Sequence, residues 1–187
     1  MALTLTALLA ACGKGSSPPV ELPTSGSSAP AAGTSSPSPP PPSSAAPLTP
    51  DEAREQALAA YTGMQDAFEK AGRTSDPDDP DLRKYTTGAA LDLFTTALAK
   101  RKKEGVVSRG DTINHAKVTS VSPAKAPTAA VVEDCMDTRG TALYKSNGDP
   151  VSSEKGGFRL ALADLKLANG AWKVTQLAVR EVGSCKP

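Results

Sequence analysis

Histidine is nearly absent from this sequence, with one at position 115 among 187 residues. Cysteine is scarce too, with three, and the first fifty residues carry only two charged side chains, Lys14 and Glu21. Each shortage excludes something. A zinc site needs three or four closely spaced ligands, mostly His and Cys, and no segment here supplies them. No nucleophile elbow, phosphate-binding loop or dinucleotide fingerprint occurs. Gly13-Lys14-Gly15-Ser16-Ser17 comes nearest, but it lies in a Pro/Ser-rich stretch rather than between a strand and a helix. The formal net charge is +1, so no overall field draws nucleic acid or an acidic partner. No cofactor and no metal is implied.

What is present falls into three parts. Leu3 to Leu9 is apolar but far too short to span a bilayer as a helix. It has the length of a signal-peptide core, although no Lys or Arg precedes it. It runs into Leu9-Ala10-Ala11-Cys12-Gly13, which resembles the bacterial lipobox, where small residues precede a cysteine that receives diacylglycerol. Residues 1–11 are therefore expected to be a signal peptide and Cys12 a lipidated residue, tethering the chain to the extracytoplasmic face of the cell membrane. Two acyl chains, at about 0.8 kcal/mol per buried methylene, make such anchoring effectively permanent.

Residues 12–49 follow as a disordered tether. Eleven of the 17 prolines fall between Pro18 and Pro50. Runs such as Ser36-Pro37-Ser38-Pro39-Pro40-Pro41-Pro42-Ser43-Ser44 offer almost nothing apolar to offset the entropy of ordering. About 37 residues of this kind reach ~35 Å as a coil and at most ~115 Å when extended. Such a tether lifts whatever follows off the membrane.

From Pro50 onward the chain is charged, mixed and periodic, and residues 50–187 read as one domain. Thr49-Pro50-Asp51-Glu52 is a helix start, with an N-cap, a proline suited to the first turn and a capping-box glutamate. Leu58, Tyr61, Met64 and Phe68 recur at helical spacing. Lys70 suits the C-terminal end of the dipole, and Gly72 is expected to take a left-handed cap. Asp79-Pro80-Asp81 starts a short second helix bearing Leu82 and Tyr85. The acids Asp76, Asp78, Asp79 and Asp81 lack the glycine and terminal glutamate of a calcium loop, so they read as turn and cap residues. Thr87-Gly88 opens a third helix with Leu91, Phe94 and Leu98 on its buried face. Lys100-Arg101-Lys102-Lys103 closes it, either as dipole-favoured cations or as a docking patch for anionic lipid or wall polymer.

After Gly105 the texture turns to strands: Val118 to Val121, Thr128 to Cys135, Thr141 to Tyr144, then Phe158 to Leu167 and Trp172 to Val182. Asn169-Gly170 joins the last two as a two-residue hairpin. That register sets Leu165 opposite Val174 and Leu167 opposite Trp172 on one face. It also sets Leu162 opposite Leu177 and Leu160 opposite Val179 on the other. An apolar face that switches midway calls for a strongly bent sheet or a bulge near Ala163-Asp164. Helices first and a mostly antiparallel sheet afterward make an α+β fold. Export places Cys135 and Cys185 in an oxidising compartment, where they are expected to pair. Closing a loop of about 50 residues is worth ~4 kcal/mol as an upper figure.

Asp134-Cys135-Met136-Asp137, Asn169-Gly170-Ala171-Trp172-Lys173-Val174 and Val182-Gly183-Ser184-Cys185 resemble a group of small actinobacterial secreted lipoproteins. Their domain belongs to the nuclear transport factor 2-like (cystatin-like) superfamily, and the resemblance covers Asp51 to Cys185. It implies N-terminal helices packed in the mouth of a curved, cone-like sheet. It implies no activity, because one fold hosts many.

The superfamily includes isomerases and dehydratases that work inside the cone, and two residues of this sequence are candidates for such chemistry. Asp111 and His115 would share a face if both lay on a strand, making His115 a candidate general base. Asp164, in an apolar strand, is the other catalytic candidate, since burial raises a carboxyl pKa. Both have plainer readings as solvated residues, and Tyr61, Tyr85 and Tyr144 read as core or rim aromatics. The expected function is thus a cell-envelope lipoprotein with a non-catalytic binding module, engaging an envelope protein, a wall component or a small apolar ligand. The alternative is a lyase or isomerase acting on a small apolar substrate inside the cone.

Overall fold

The computed structural model describes residues 46–152 and 155–187. The signal peptide, Cys12 and nearly all of the tether lie outside the described residues. Among these residues the chain forms three helices, then six strands: α1 (Pro50–Gly72), α2 (Pro80–Tyr85), α3 (Gly88–Glu104), β1 (Val106–Arg109), β2 (Lys117–Ser122), β3 (Ala129–Asp137), β4 (Ala142–Lys145), β5 (Phe158–Ala168) and β6 (Ala171–Val179). Strands β2-β3-β5-β6 make a fully antiparallel sheet, and β1-β4 a separate antiparallel pair.

Helix α1 starts as its sequence requires. The Thr49 hydroxyl accepts from the Glu52 N–H, and the Glu52 carboxylate accepts from the Thr49 N–H at 2.8 Å. Hydrogen bonds donated by the Thr49 N–H and by its hydroxyl hold the Glu52 carboxyl below its ordinary value. The buried face is built largely of small residues, Ala53, Ala57, Ala60, Ala67 and Ala71, around Tyr61 and Met64. Small side chains let a helix backbone lie close to what it covers. Gly63 serves the same end, because a Cβ there would run into the Tyr85 ring of α2.

Gly72 departs from the expected left-handed cap. It stays helical, and the C-cap is Arg73 at φ −65°. A Cβ on Gly72 would collide with the Ser108 hydroxyl of β1, so the glycine answers a close approach rather than a positive φ. Gly105, at φ 64°, is the left-handed cap of α3. The acidic run after α1 is spent locally. Asp79 caps α2 by accepting from the Asp81 N–H, and Lys70 bridges Asp79 at 3.2 Å and Asp81 at 2.7 Å.

The β5–β6 hairpin has the expected Asn169-Gly170 turn, with φ 53° and 75°, and the pairs Leu165–Val174 and Leu167–Trp172. Beyond these the register shifts between Asp164 and Leu165, with Thr175 the extra residue on β6. The expected pairs Leu162–Leu177 and Leu160–Val179 are therefore replaced by Ala163–Leu177 and Ala161–Val179. The bulge resets alternation on β6 alone, keeping Leu177 on the same side as Trp172 and Val174. Along β5 the alternation never breaks. Ala161, Ala163 and Leu165 are buried, while Leu160 and Leu162 are half-buried on the opposite face.

The last strand ends at Val179, three residues before the expected Val182. Past it the chain curls along the start of β5. The Gly183 N–H donates to the Phe158 carbonyl and the Leu160 N–H donates to the Ser184 hydroxyl, each at 2.8 Å. The Cys135–Cys185 disulfide fastens this tail across the half-buried face, with Cα atoms 5.8 Å apart. Strand β1 was not anticipated, since Val106-Val107-Ser108-Arg109 is too short to signal by itself. It exists by pairing with β4.

Candidate functional site

The helices do not fill the whole concave side of the sheet. Between α1, α3, the β1–β4 pair and the far ends of β3, β5 and β6 lies a cavity of about 450 Å³, within the size range of small-molecule sites. Phe68 and Phe94 stack at 4.3 Å with an interplanar angle of 21° and form its helical wall. Leu143, Leu177 and Val179 supply the opposite wall. Val151, Val179 and Val182 stand 42%, 43% and 46% exposed at the mouth. Large apolar side chains left this open at a concavity mark a binding surface more often than a packing defect.

Polar groups reach the cavity in small number. Arg101, from the cationic end of α3, turns inward and lies 5.5 Å over the Phe68 ring. Burial pushes its guanidinium below its ordinary value. Its neighbour Lys102 points elsewhere, toward Asp76 at 3.7 Å. The cationic run therefore divides its tasks, which its composition alone does not reveal. Arg159, on β5, donates one N–H to the Arg180 carbonyl at 3.2 Å. Glu69 accepts from the Thr112 N–H at 2.7 Å.

Gln65 and Met136 close the floor, and behind them lies a buried polar network. The Gln65 amide donates to the Tyr61 hydroxyl at 2.9 Å and contacts Met136 Sδ at 3.0 Å. Tyr61 in turn donates to Asp134 Oδ2 at 2.9 Å. The other carboxylate oxygen, Oδ1, accepts from the His115 backbone N–H at 2.6 Å. Asp134 and Tyr61 are fully buried. Burial raises the Asp134 carboxyl above its ordinary value, and burial together with the adjacent carboxylate raises the Tyr61 phenol. Three residues on, Asp137 goes the other way. Hydrogen bonds from Arg139 lower it to about 2. A sequence signal for the network did exist. Tyr61 and Gln65 share a helix face at i, i+4, and Asp134 sits on the buried parity of β3.

The residues picked from the sequence are not brought together. The segment holding Asp111 and His115 is not a strand. Asp111 pairs with Arg73 at 2.7 Å instead of orienting His115. The His115 ring is exposed, its Nδ1 3.2 Å from the Cys135 carbonyl. Asp164 is exposed on the outer face of β5, opposite Gln176. Tyr85 covers Gly63, and Tyr144 lies under the Arg109 guanidinium at 4.9 Å. Among the described residues no group of three or more His, Cys, Asp or Glu could hold a metal ion.

No protein-family model matches the sequence, and no curated protein matches it. Solved structures do resemble it. The intermembrane space region of the chloroplast protein ARC6 aligns with a TM-score of 0.50 at 19% identity, covering 67% of this chain and 95% of that one. A protein of the NTF2-like family from Streptomyces avermitilis, described as a candidate dehydratase, aligns at 0.44 and 15% identity over 70% and 96% of the two chains. A protein of unknown function with a cystatin-like fold from Nostoc punctiforme aligns at 0.43 and 10% identity over 74% and 97%. The likeness is one of fold, helices followed by a curved, mostly antiparallel sheet, and no activity comes with it.

Proposed function

We propose that this protein is a non-catalytic binding module of the cell envelope, which takes a small apolar ligand into the mouth of its cone. The observation that carries this reading is the open cavity of about 450 Å³ with apolar walls and three half-exposed valines at its rim. General acid–base catalysis needs a titratable group within reach of the ligand and a partner to orient it. His115 and Asp164 stand outside the cavity. The buried Asp134 is occupied by Tyr61 and by the His115 N–H, behind a floor of Gln65 and Met136.

Delivery to the envelope belongs to the same proposal. Residues 1–11 act as a signal peptide, Cys12 carries the diacylglyceryl anchor, and residues 12–49 hold the domain away from the extracytoplasmic face of the membrane. A chain cleaved before Cys12 and carrying diacylglycerol there is the expected mass from the membrane fraction. An intact Met1 with a free Cys12 thiol overturns the anchoring.

Calorimetric titration of the purified protein with dodecanol tests the binding role. Saturable one-site binding is expected, reduced at least tenfold in Val179→Glu, which sets a carboxylate at the apolar mouth, and unchanged within a few-fold in the His115→Ala/Asp164→Ala double variant. No saturable binding by the wild type sinks the reading. Loss of binding in the double variant with the fold intact moves the case to the lyase or isomerase alternative.

A further inference from the structure

We infer that the cavity is built for an anionic amphipath, a single apolar chain ending in a carboxylate or phosphate, with Arg101 receiving the charged end. This rests on the binding role proposed above and adds the identity of the head group.

The argument starts from an imbalance of charge. Arg101 and Arg159 both line the cavity, and neither forms an ion pair with a carboxylate among the described residues. Arg159 already donates to the Arg180 carbonyl, whereas Arg101, half-buried, has its guanidinium laid over Phe68 and its N–H groups directed at no carboxylate. The acid on the same wall, Glu69, accepts from the Thr112 N–H and forms no ion pair with Arg101. Taking a guanidinium partly out of water costs free energy unless a counter-charge meets it. Burial lowers the Arg101 pKa, the sign of a cation paying that cost without relief.

A cation at position 101 suits the α3 dipole and the Phe68 ring, but neither takes up the paired N–H donors of a guanidinium. Lys102 and Lys103, one and two residues on, serve the α3 dipole from solvent. A guanidinium offers planar, paired N–H donors that match carboxylate and phosphate oxygens. The apolar walls around it, from Phe68 and Phe94 to Leu177 and Val179, fit the rest of such a ligand. A neutral apolar ligand would leave Arg101 buried more deeply and still unpaired, and a cationic one would face repulsion from both arginines. The chemistry thus selects an anion with an apolar body.

Calorimetry of the full chain with dodecanoate, dodecyl phosphate, dodecanol and dodecyltrimethylammonium tests this, in wild type and in Arg101→Gln. Dodecanoate or dodecyl phosphate is expected to bind at least tenfold more tightly than dodecanol, and the better of the two identifies the head group. Arg101→Gln should erase that advantage while leaving dodecanol affinity within about twofold, as a charge-assisted hydrogen bond predicts. The dodecanol titration also shows that the variant still folds. Equal affinity for dodecanol and both anions in the wild type, or an anion preference that survives Arg101→Gln, overturns the inference while the apolar binding role stands. Absence of binding by all four probes brings down both.

Discussion

The two ends of the main sheet are finished in opposite ways. Near the Asn169-Gly170 turn, Leu165 and Val174 are fully buried and Trp172 is 4% exposed. There the α2–α3 junction sits directly on β6, with the Thr87 N–H donating to the Val174 carbonyl at 3.0 Å and the Lys173 ammonium to the Arg83 carbonyl at 2.6 Å. At the other end of the same strand Val179 is 43% exposed, and the helices stand off to leave the cavity. One strand thus contributes to a packed core over its first half and to an open cavity wall over its second, and the Thr175 bulge lies between them. Core packing and the proposed ligand site are separated along the strand and should respond to different substitutions.

The largest expected effect sharpens this contrast. Leu165→Ala should cost about 2–5 kcal/mol, as buried leucines do, whereas Val179→Ala should stay within about 0.5 kcal/mol. Urea titration of both variants decides it, and similar costs would falsify the division of the strand. Next in size is the disulfide, which holds the tail bearing Val182 at the open rim. Cys135→Ala should cost about 2–4 kcal/mol through the loop it frees. Equal thermal midpoints for variant and wild type under non-reducing conditions would contradict that.

The floor between the two ends predicts a pH signature. Asp137, lowered to about 2 in the fold by Arg139, stabilises the protein above its unfolded pKa near 4, and that contribution is lost as pH falls from about 4 to 2. Asp134, raised by burial, has the opposite sign. Its contribution is fullest below about pH 4 and declines as pH rises toward its elevated folded value. Asp137→Asn should flatten the acid limb of the stability–pH curve, and Asp134→Asn the limb above it. If either substitution changes the other's limb instead, the assignment fails. The smallest effect belongs to the N-terminal segment. A chain beginning at Ala46 should keep the wild-type melting temperature, because among the described residues Leu48 is the first side chain that packs on the core. A drop of several degrees would show that residues 1–45 contribute to the domain.

How much of this could be read beforehand follows from how local each feature is. The capping box of α1, the N-cap of α2 and the Asn-Gly turn are set by residues within four positions of one another, and all three were legible. The bulge was legible as a conflict, since Leu160 and Leu162 clash in parity with Leu165 and Leu167, but its position on β6 was not. A C-terminal glycine signals a left-handed cap locally, whereas Ser108, 36 residues away, sets the constraint at Gly72. The β1–β4 pair, the Tyr61–Asp134 bond across 73 residues and the inward turn of Arg101 are long-range facts, and no nearby residue announces them. His115 and Asp164 are candidates by their chemistry alone, and the fold leaves both in solvent.

Trp172 is the chain's only tryptophan, and its ring N–H has no hydrogen-bond partner among the described residues. Buried indoles usually find one. The molecule therefore carries a single indole reporter, sealed in the packed half of the cone. Its fluorescence should lie toward the blue in the native state and shift to the red when the core opens. It should stay unchanged when a ligand enters the far end, so one emission spectrum separates unfolding from occupancy.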